Sequence, residues 1–174
     1  MTTAPYWPVS ATRNVAAKKI CISISVQTNI RRIPLAIKKQ ILFLCTHNSC
    51  RSQMAEALAN HFLGDICQAH SAGTEATRVN PLAALVLTEL GIDTSSLRSK
   101  TMDEFSGQAF DHVVTLCGDA NEKCPLFFGG VQRLHHGFED PSRPKGSEED
   151  VLPEFRRVRD EIKNWILGYF GGAQ

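Results

Sequence analysis

The sequence predicts an α/β fold, a four-stranded parallel sheet with helices on both faces, and three observations carry that prediction. From residue 41 onward, short apolar runs alternate with stretches of helical periodicity. The first run, Ile41-Leu42-Phe43-Leu44, is apolar at every position, as a strand covered on both faces must be. A long amphipathic stretch closes the chain. Strands that alternate with helices favour a parallel sheet with helices packed on it.

Each element has its own signal. After the first strand, Ser52 to Leu63 reads as a helix with Met54, Leu58 and Phe62 on one face, ended by Gly64. Ile66 to His70 reads as a second strand. Asn80-Pro81 supplies an N-cap and a proline at the first helical position, and Gly91 a stop. Asp111 to Leu116, centred on Val113-Val114, is a third strand. Residues 131–135 give a fourth, with a weaker pattern. Val151, Phe155, Val158, Ile162, Trp165 and Tyr169 then recur at spacings of four and three, forming the final helix.

Composition narrows the class. A chain of 174 residues suits one domain with a real core. No apolar run approaches the roughly 18 residues of a membrane span, so no membrane association is expected. A net charge of +1 gives no reason to expect a nucleic-acid partner. The balance conceals a break, however. Residues 1–40 carry seven Lys/Arg and no Asp or Glu, which leaves 12 basic and 18 acidic side chains for residues 41–174. Residues 1–40 are therefore read as a basic extension outside the domain: a targeting segment, a disordered tail or a start-site artefact. Residues 41–174 are read as the domain. The alternation of Ile20, Ile22, Ile24 and Val26 resembles a strand that nothing continues.

Six cysteines (21, 45, 50, 67, 117 and 124) in a chain of this length with its own core point to redox or catalytic use in a reducing compartment rather than to a disulfide scaffold. A cytoplasmic location and a monomer are expected, with organellar targeting by residues 1–40 left open.

Ligands of parallel α/β sheets bind at the carboxyl ends of the strands. Two strand ends carry chemistry here: the first runs into Cys45 and the third into Cys117. Residues 45–52 read Cys45-Thr46-His47-Asn48-Ser49-Cys50-Arg51-Ser52. A short loop that enters a helix turns successive N–H groups inward, and the helix N-terminus adds partial positive charge. A tetrahedral oxyanion fits such a loop, and Arg51 can bind two of its oxygens at once. The same field favours a thiolate at Cys45, with Ser52 placed to donate a hydrogen bond to it. A bare Cys-x5-Arg is a weak signal. Its setting between a buried strand and a helix start makes it specific. Asn48 suits a left-handed turn inside the loop.

This loop, with Gln53-Met54-Ala55-Glu56 after it, resembles the signature of the thioredoxin-coupled arsenate reductases, which share their fold with low-molecular-weight protein tyrosine phosphatases. The resemblance continues through Ser71-Ala72-Gly73-Thr74, Asn80-Pro81, Gly91-Ile92-Asp93, Val113-Val114-Thr115-Leu116-Cys117, Cys124-Pro125, Gly137-Phe138-Glu139-Asp140-Pro141 and Phe155-Arg156-Arg157-Val158-Arg159-Asp160-Glu161-Ile162. It covers residues 41 to about 167 and leaves out the first 40.

The resemblance implies reduction of arsenate to arsenite. Cys45 attacks arsenate; Cys117 attacks Cys45, with a Cys45–Cys117 disulfide; Cys124 then moves the disulfide to Cys117–Cys124, for reduced thioredoxin to reopen as electron donor. Asp140 is implied as the general acid at the leaving oxygen. No bound cofactor is implied. The alternative is a phosphatase of the same fold, since arsenate and phosphate are nearly isosteric. Against it stand the paired thiols, and Ser142-Arg143 where phosphatases carry an aromatic residue after Asp-Pro.

Other residues are expected to be bystanders: His47 on the rim, Cys50 and Cys67 structural, Glu139 solvated, and His135 and His136 facing opposite ways. Some relatives bind potassium beside the loop through residues matching Asn48, Glu56 and Ser71 plus an Asp. Lys100 stands at that Asp position, so no metal is expected.

Overall fold

The computed structural model describes residues 37–118 and 132–172. Expectations about residues 1–36, about Cys124 and about the segment before it lie outside the described residues.

Four parallel strands form one sheet: β1 (Lys39–Cys45), β2 (Cys67–Gly73), β3 (His112–Thr115) and β4 (Gln132–His135). Their spatial order is β2-β1-β3-β4. The chain leaves β1 for β2 on one side and later returns to place β3 on the other. That reversal opens a crevice at the carboxyl end of β1, where such sheets bind ligands. Lys39 and Gln40, grouped with the basic extension on charge, are the first two residues of β1.

β1 is buried on both faces, which explains its unbroken apolar run. Ile41 and Phe43 pack on one side with α1 (Arg51–Leu63), α2 (Pro81–Thr88) and α3 (Glu148–Phe170). Leu42, Leu44 and Val113 pack on the other, against Phe105 of the 3₁₀ turn Met102–Phe105 and against Phe110. Among the described residues, then, the three α-helices share one face, and the 3₁₀ turn helps to cover the opposite one.

The caps follow the sequence signals. The Asn80 side chain accepts from Leu82 N at 2.9 Å, with Pro81 at the first helical position. Gly91 ends this segment in a left-handed turn (φ 75°): its N–H donates to Thr88 O, and Ile92 N–H donates back to Leu87 O. That double closure is open to glycine because it has no Cβ. α3 begins with a reciprocal box between Ser147 and Asp150, a start signal that the periodicity argument did not use.

Two residues depart from their predicted faces. Met54 and Leu58 are fully buried as predicted, but Phe62, on the same face, is 42% exposed, while Ala55, Ala57 and Ala59 are buried beside them. Tyr169 is 39% exposed, and Ile166 is buried near the end of α3 instead. α3 has 23 residues and is about 34 Å long. β1, with seven residues, is about 23 Å long. The last turn of the helix still meets the sheet, where Phe170 packs edge-on against Phe43 and His112, and Tyr169 stacks on Trp165.

Candidate active site

The loop after β1 is held by backbone bonds from the segments following β2. Thr74 N–H donates to Cys45 O, Glu75 N–H to Thr46 O and Asn80 N–H to Ser49 O. Gly73 makes this approach possible: a Cβ there would lie 2.7 Å from Thr46 O and 2.8 Å from Asn48 N. A side chain at this position would push the loop off β2.

Asn48 organises the loop from within. It takes the left-handed conformation (φ 47°) and is fully buried. Its Nδ2 donates to Ser52 Oγ at 2.8 Å and to Ser71 Oγ at 2.9 Å. Its Oδ1 accepts from Gln53 Nε2 at 2.8 Å and from Lys100 N at 2.7 Å. Ser71 Oγ donates onward to Glu56 Oε2. Ser52 Oγ already accepts from Asn48, so its one hydrogen is free for Cys45 Sγ, 2.9 Å away. Toward a Cys45 thiolate, which has no hydrogen to give, Ser52 is the donor.

Lys100 completes the chain. Its ammonium lies 2.9 and 3.2 Å from the two Glu56 oxygens, and its side chain is 8% exposed. A fixed positive charge therefore sits where the potassium of some relatives would need an anionic ligand, and the site does not fit that ion. The melting temperature should be the same in potassium and sodium chloride at equal ionic strength. A stabilisation specific to potassium would contradict this.

Arg51, 8% exposed, opens α1. Its Nη1 donates to Phe138 O at 3.1 Å and its Nη2 to Asp140 Oδ2 at 2.8 Å. Asp140 Oδ1 accepts from Ser142 N at 3.0 Å and Ser142 Oγ at 2.6 Å. Burial pushes the Asp140 carboxyl up. The Ser142 hydroxyl, the Arg51 guanidinium, the Ser142 amide and the Arg143 charge together outweigh it and hold the group below the usual carboxylate range. Arg51 and Asp140 therefore meet directly.

Cys117 lies two residues beyond β3 and is buried in the same apolar cluster as Cys45. Its Sγ is 3.4 Å from Thr46 Oγ1, so Cys117 touches the loop that follows β1. Cys50 is also buried, and burial pushes its thiol up to about 11 against an opposing hydrogen bond from Ser49. Such a thiol is a poor nucleophile at neutral pH, which fits a structural role. Cys67 is buried in the core.

Above the loop lies a cleft of about 620 Å³, lined by Arg51, Cys117, Phe138, Asp140 and Arg143 with His47 at its rim. His47 is half-exposed and 4.0 Å from Glu75. Glu139 is largely exposed, as expected, and reaches Arg157 at 2.5 Å. The two adjacent histidines diverge: His135 Nδ1 lies 2.9 Å from Thr115 Oγ1, while His136 stacks on Trp165.

Three contributors escaped the sequence reading. Gln53 is fully buried, and its Nε2 donates to Asn48 and to Arg98 O. The Phe138 carbonyl anchors Arg51. Thr46, expected only as an oxyanion ligand, also contacts Cys117. A neutral Gln in a buried first turn was a legible signal; a backbone carbonyl leaves none.

Comparison with known proteins agrees with this geometry. The family model described as low molecular weight phosphotyrosine protein phosphatase matches residues 40–171. The chain is 52% identical to an arsenate reductase of Bacillus subtilis (strain 168) over 126 residues, which is 72% of this chain and 91% of that protein. A solved arsenate reductase in its oxidized state is 30% identical with a TM-score of 0.63, covering 76% of this chain and 97% of that one. A thioredoxin-dependent arsenate reductase from Corynebacterium glutamicum is 30% identical with a TM-score of 0.53, covering 74% and 62%.

Proposed function

Because this chain belongs to the low molecular weight phosphotyrosine protein phosphatase family, and within it resembles the arsenate reductases at about half identity, we propose that it reduces arsenate to arsenite through its own thiols. The observation that carries this reading is the contact of Cys117 with the loop that holds Cys45. A phosphatase needs one thiol and water. A reductase needs a second thiol within reach of the first.

Arsenate sits in the loop from Thr46 to Ser52, with Arg51 across two of its oxygens. The Cys45 thiolate, hydrogen-bonded by Ser52, attacks arsenic. An S–As bond forms, an As–O bond breaks, and Asp140 supplies the proton with which that oxygen leaves as water. Cys117 then attacks Cys45 Sγ. An S–S bond forms while the S–As bond breaks, and its electron pair stays on arsenic. As(V) thereby becomes As(III), and the two sulfurs lose two electrons between them. Cys124 then attacks Cys117 and frees Cys45. Reduced thioredoxin supplies two electrons to the resulting Cys117–Cys124 disulfide. The name of the Corynebacterium relative supports thioredoxin as the donor.

The test is NADPH consumption by the full chain with arsenate, thioredoxin and thioredoxin reductase, compared with glutathione and glutaredoxin. Turnover only in the first mixture is expected. Turnover only in the second would overturn the choice of donor. Turnover in neither, alongside rapid hydrolysis of aryl phosphates, would favour the phosphatase.

A further inference from the structure

The bond between Arg51 and Asp140 has a consequence for substrate entry. Arg51 already donates from Nη2 to Asp140 Oδ2 and from Nη1 to Phe138 O, so an oxyanion that draws on both arms must share the guanidinium with these two acceptors. Asp140 in turn cannot act as an acid while it is a carboxylate with both oxygens accepting hydrogen bonds. We propose that the oxyanion and Asp140 compete for Arg51, and that displacement from Arg51 makes Oδ2 of Asp140 take up the proton that it later delivers to the leaving oxygen. This deepens the oxyanion-loop reading above and rests on it.

The geometry selects the atom. Oδ1 is held by the Ser142 amide and hydroxyl, both on the same short turn as Asp140. Oδ2 is held by Arg51, from a different element. An incoming dianion takes Arg51 away and sets its own negative charge beside Oδ2. A carboxylate that loses a cation and gains an anion binds a proton more tightly. The acid is thus armed by substrate and stays ionised without it. The proton comes from solvent, and no other bond changes.

The surroundings of Asp140 are consistent with this. Arg51 faces it from α1 and Arg143 from its own loop. Cys50 senses its charge from the oxyanion loop, and Cys45 lies beside Cys50. Cys117 and His47 border the same cleft. Glu139 turns away to Arg157, as does Glu154 from α3. Arg143 remains to steady an ionised Asp140, so uptake depends on how far the bound dianion outweighs it. The Cys45 thiolate is the competing proton acceptor, and the test must separate the two.

Sulfate is a suitable probe, because it is tetrahedral, stays a dianion across the range and cannot be reduced by the thiols. Its binding to the full chain is measured calorimetrically at about pH 6, where an ordinary carboxylate is ionised, in two buffers of different ionisation enthalpy. A large fraction of one proton should be taken up, with affinity rising by up to about tenfold per unit as pH falls. Uptake should persist in Cys45→Ser. In Asp140→Asn it should vanish, and sulfate should bind more tightly because the competing carboxylate is gone. Binding without uptake, or uptake that survives Asp140→Asn but is lost in Cys45→Ser, overturns the proposal while leaving the oxyanion site standing. If neither sulfate nor phosphate binds, the reading of the loop falls and the proposal falls with it.

Discussion

Cys117→Ser is expected to lower steady-state arsenate turnover with thioredoxin by roughly a thousandfold or more, to a level set by background thiols. A serine hydroxyl cannot form the disulfide that releases arsenite, so the S–As adduct at Cys45 has no internal route to product. Cys117 is buried against the oxyanion loop with its Sγ beside Thr46. Serine is slightly smaller and keeps the contact to Thr46, so the fold should survive and the melting temperature should check it. Hydrolysis of a small aryl phosphate, which needs only Cys45, Arg51 and Asp140, should change little. That split between two substrates is the diagnostic outcome. Cys124→Ser should also abolish multiple turnovers, while still allowing one equivalent of arsenite per chain. Repeated turnovers in either variant would sink the thiol cascade.

Arg51→Lys is the second large effect. The guanidinium is a planar fork whose two arms match two oxygens of a tetrahedral anion; an ammonium is a point charge. Lysine also cannot hold the Phe138 carbonyl and Asp140 together as Arg51 does at 3.1 and 2.8 Å. A loss of about 10²- to 10³-fold in kcat/KM for arsenate is expected, the size seen when one preorganised oxyanion donor is removed. Stability should fall less than in Arg51→Ala, where Asp140 would stay half-buried without its cation. A loss below tenfold would mean that the loop N–H groups alone carry the anion.

Much of this was open to reading along the chain. The Ile41–Leu44 run reads as a strand covered on both faces, because four consecutive apolar side chains on a strand need apolar contact above and below. Asn80-Pro81 and Gly91 delimit α2 through local backbone chemistry, and local chemistry is what a sequence states most clearly. Cys45, Arg51 and Ser52 lie within eight residues, so a strand-loop-helix reading already brought them together. Phe62 and Tyr169 went astray for a non-local reason: how far a buried stripe runs along a helix depends on what packs against each turn.

The sequence by itself determined the parallel α/β class and the placing of Cys45, Arg51 and Ser52 on one strand-loop-helix turn, because motif spacing and hydrophobic period are properties of neighbouring residues. Only the tertiary structure decided how the loop is charged and restrained. Ser71 and Lys100 come from stretches of chain far from the one that holds Asn48 and Glu56, and folding joins all four in one hydrogen-bonded network that reaches Ser52 beside Cys45. Arg51 and Asp140 are 89 residues apart. Their competition with substrate exists because folding places one carboxylate oxygen on the guanidinium that the oxyanion requires.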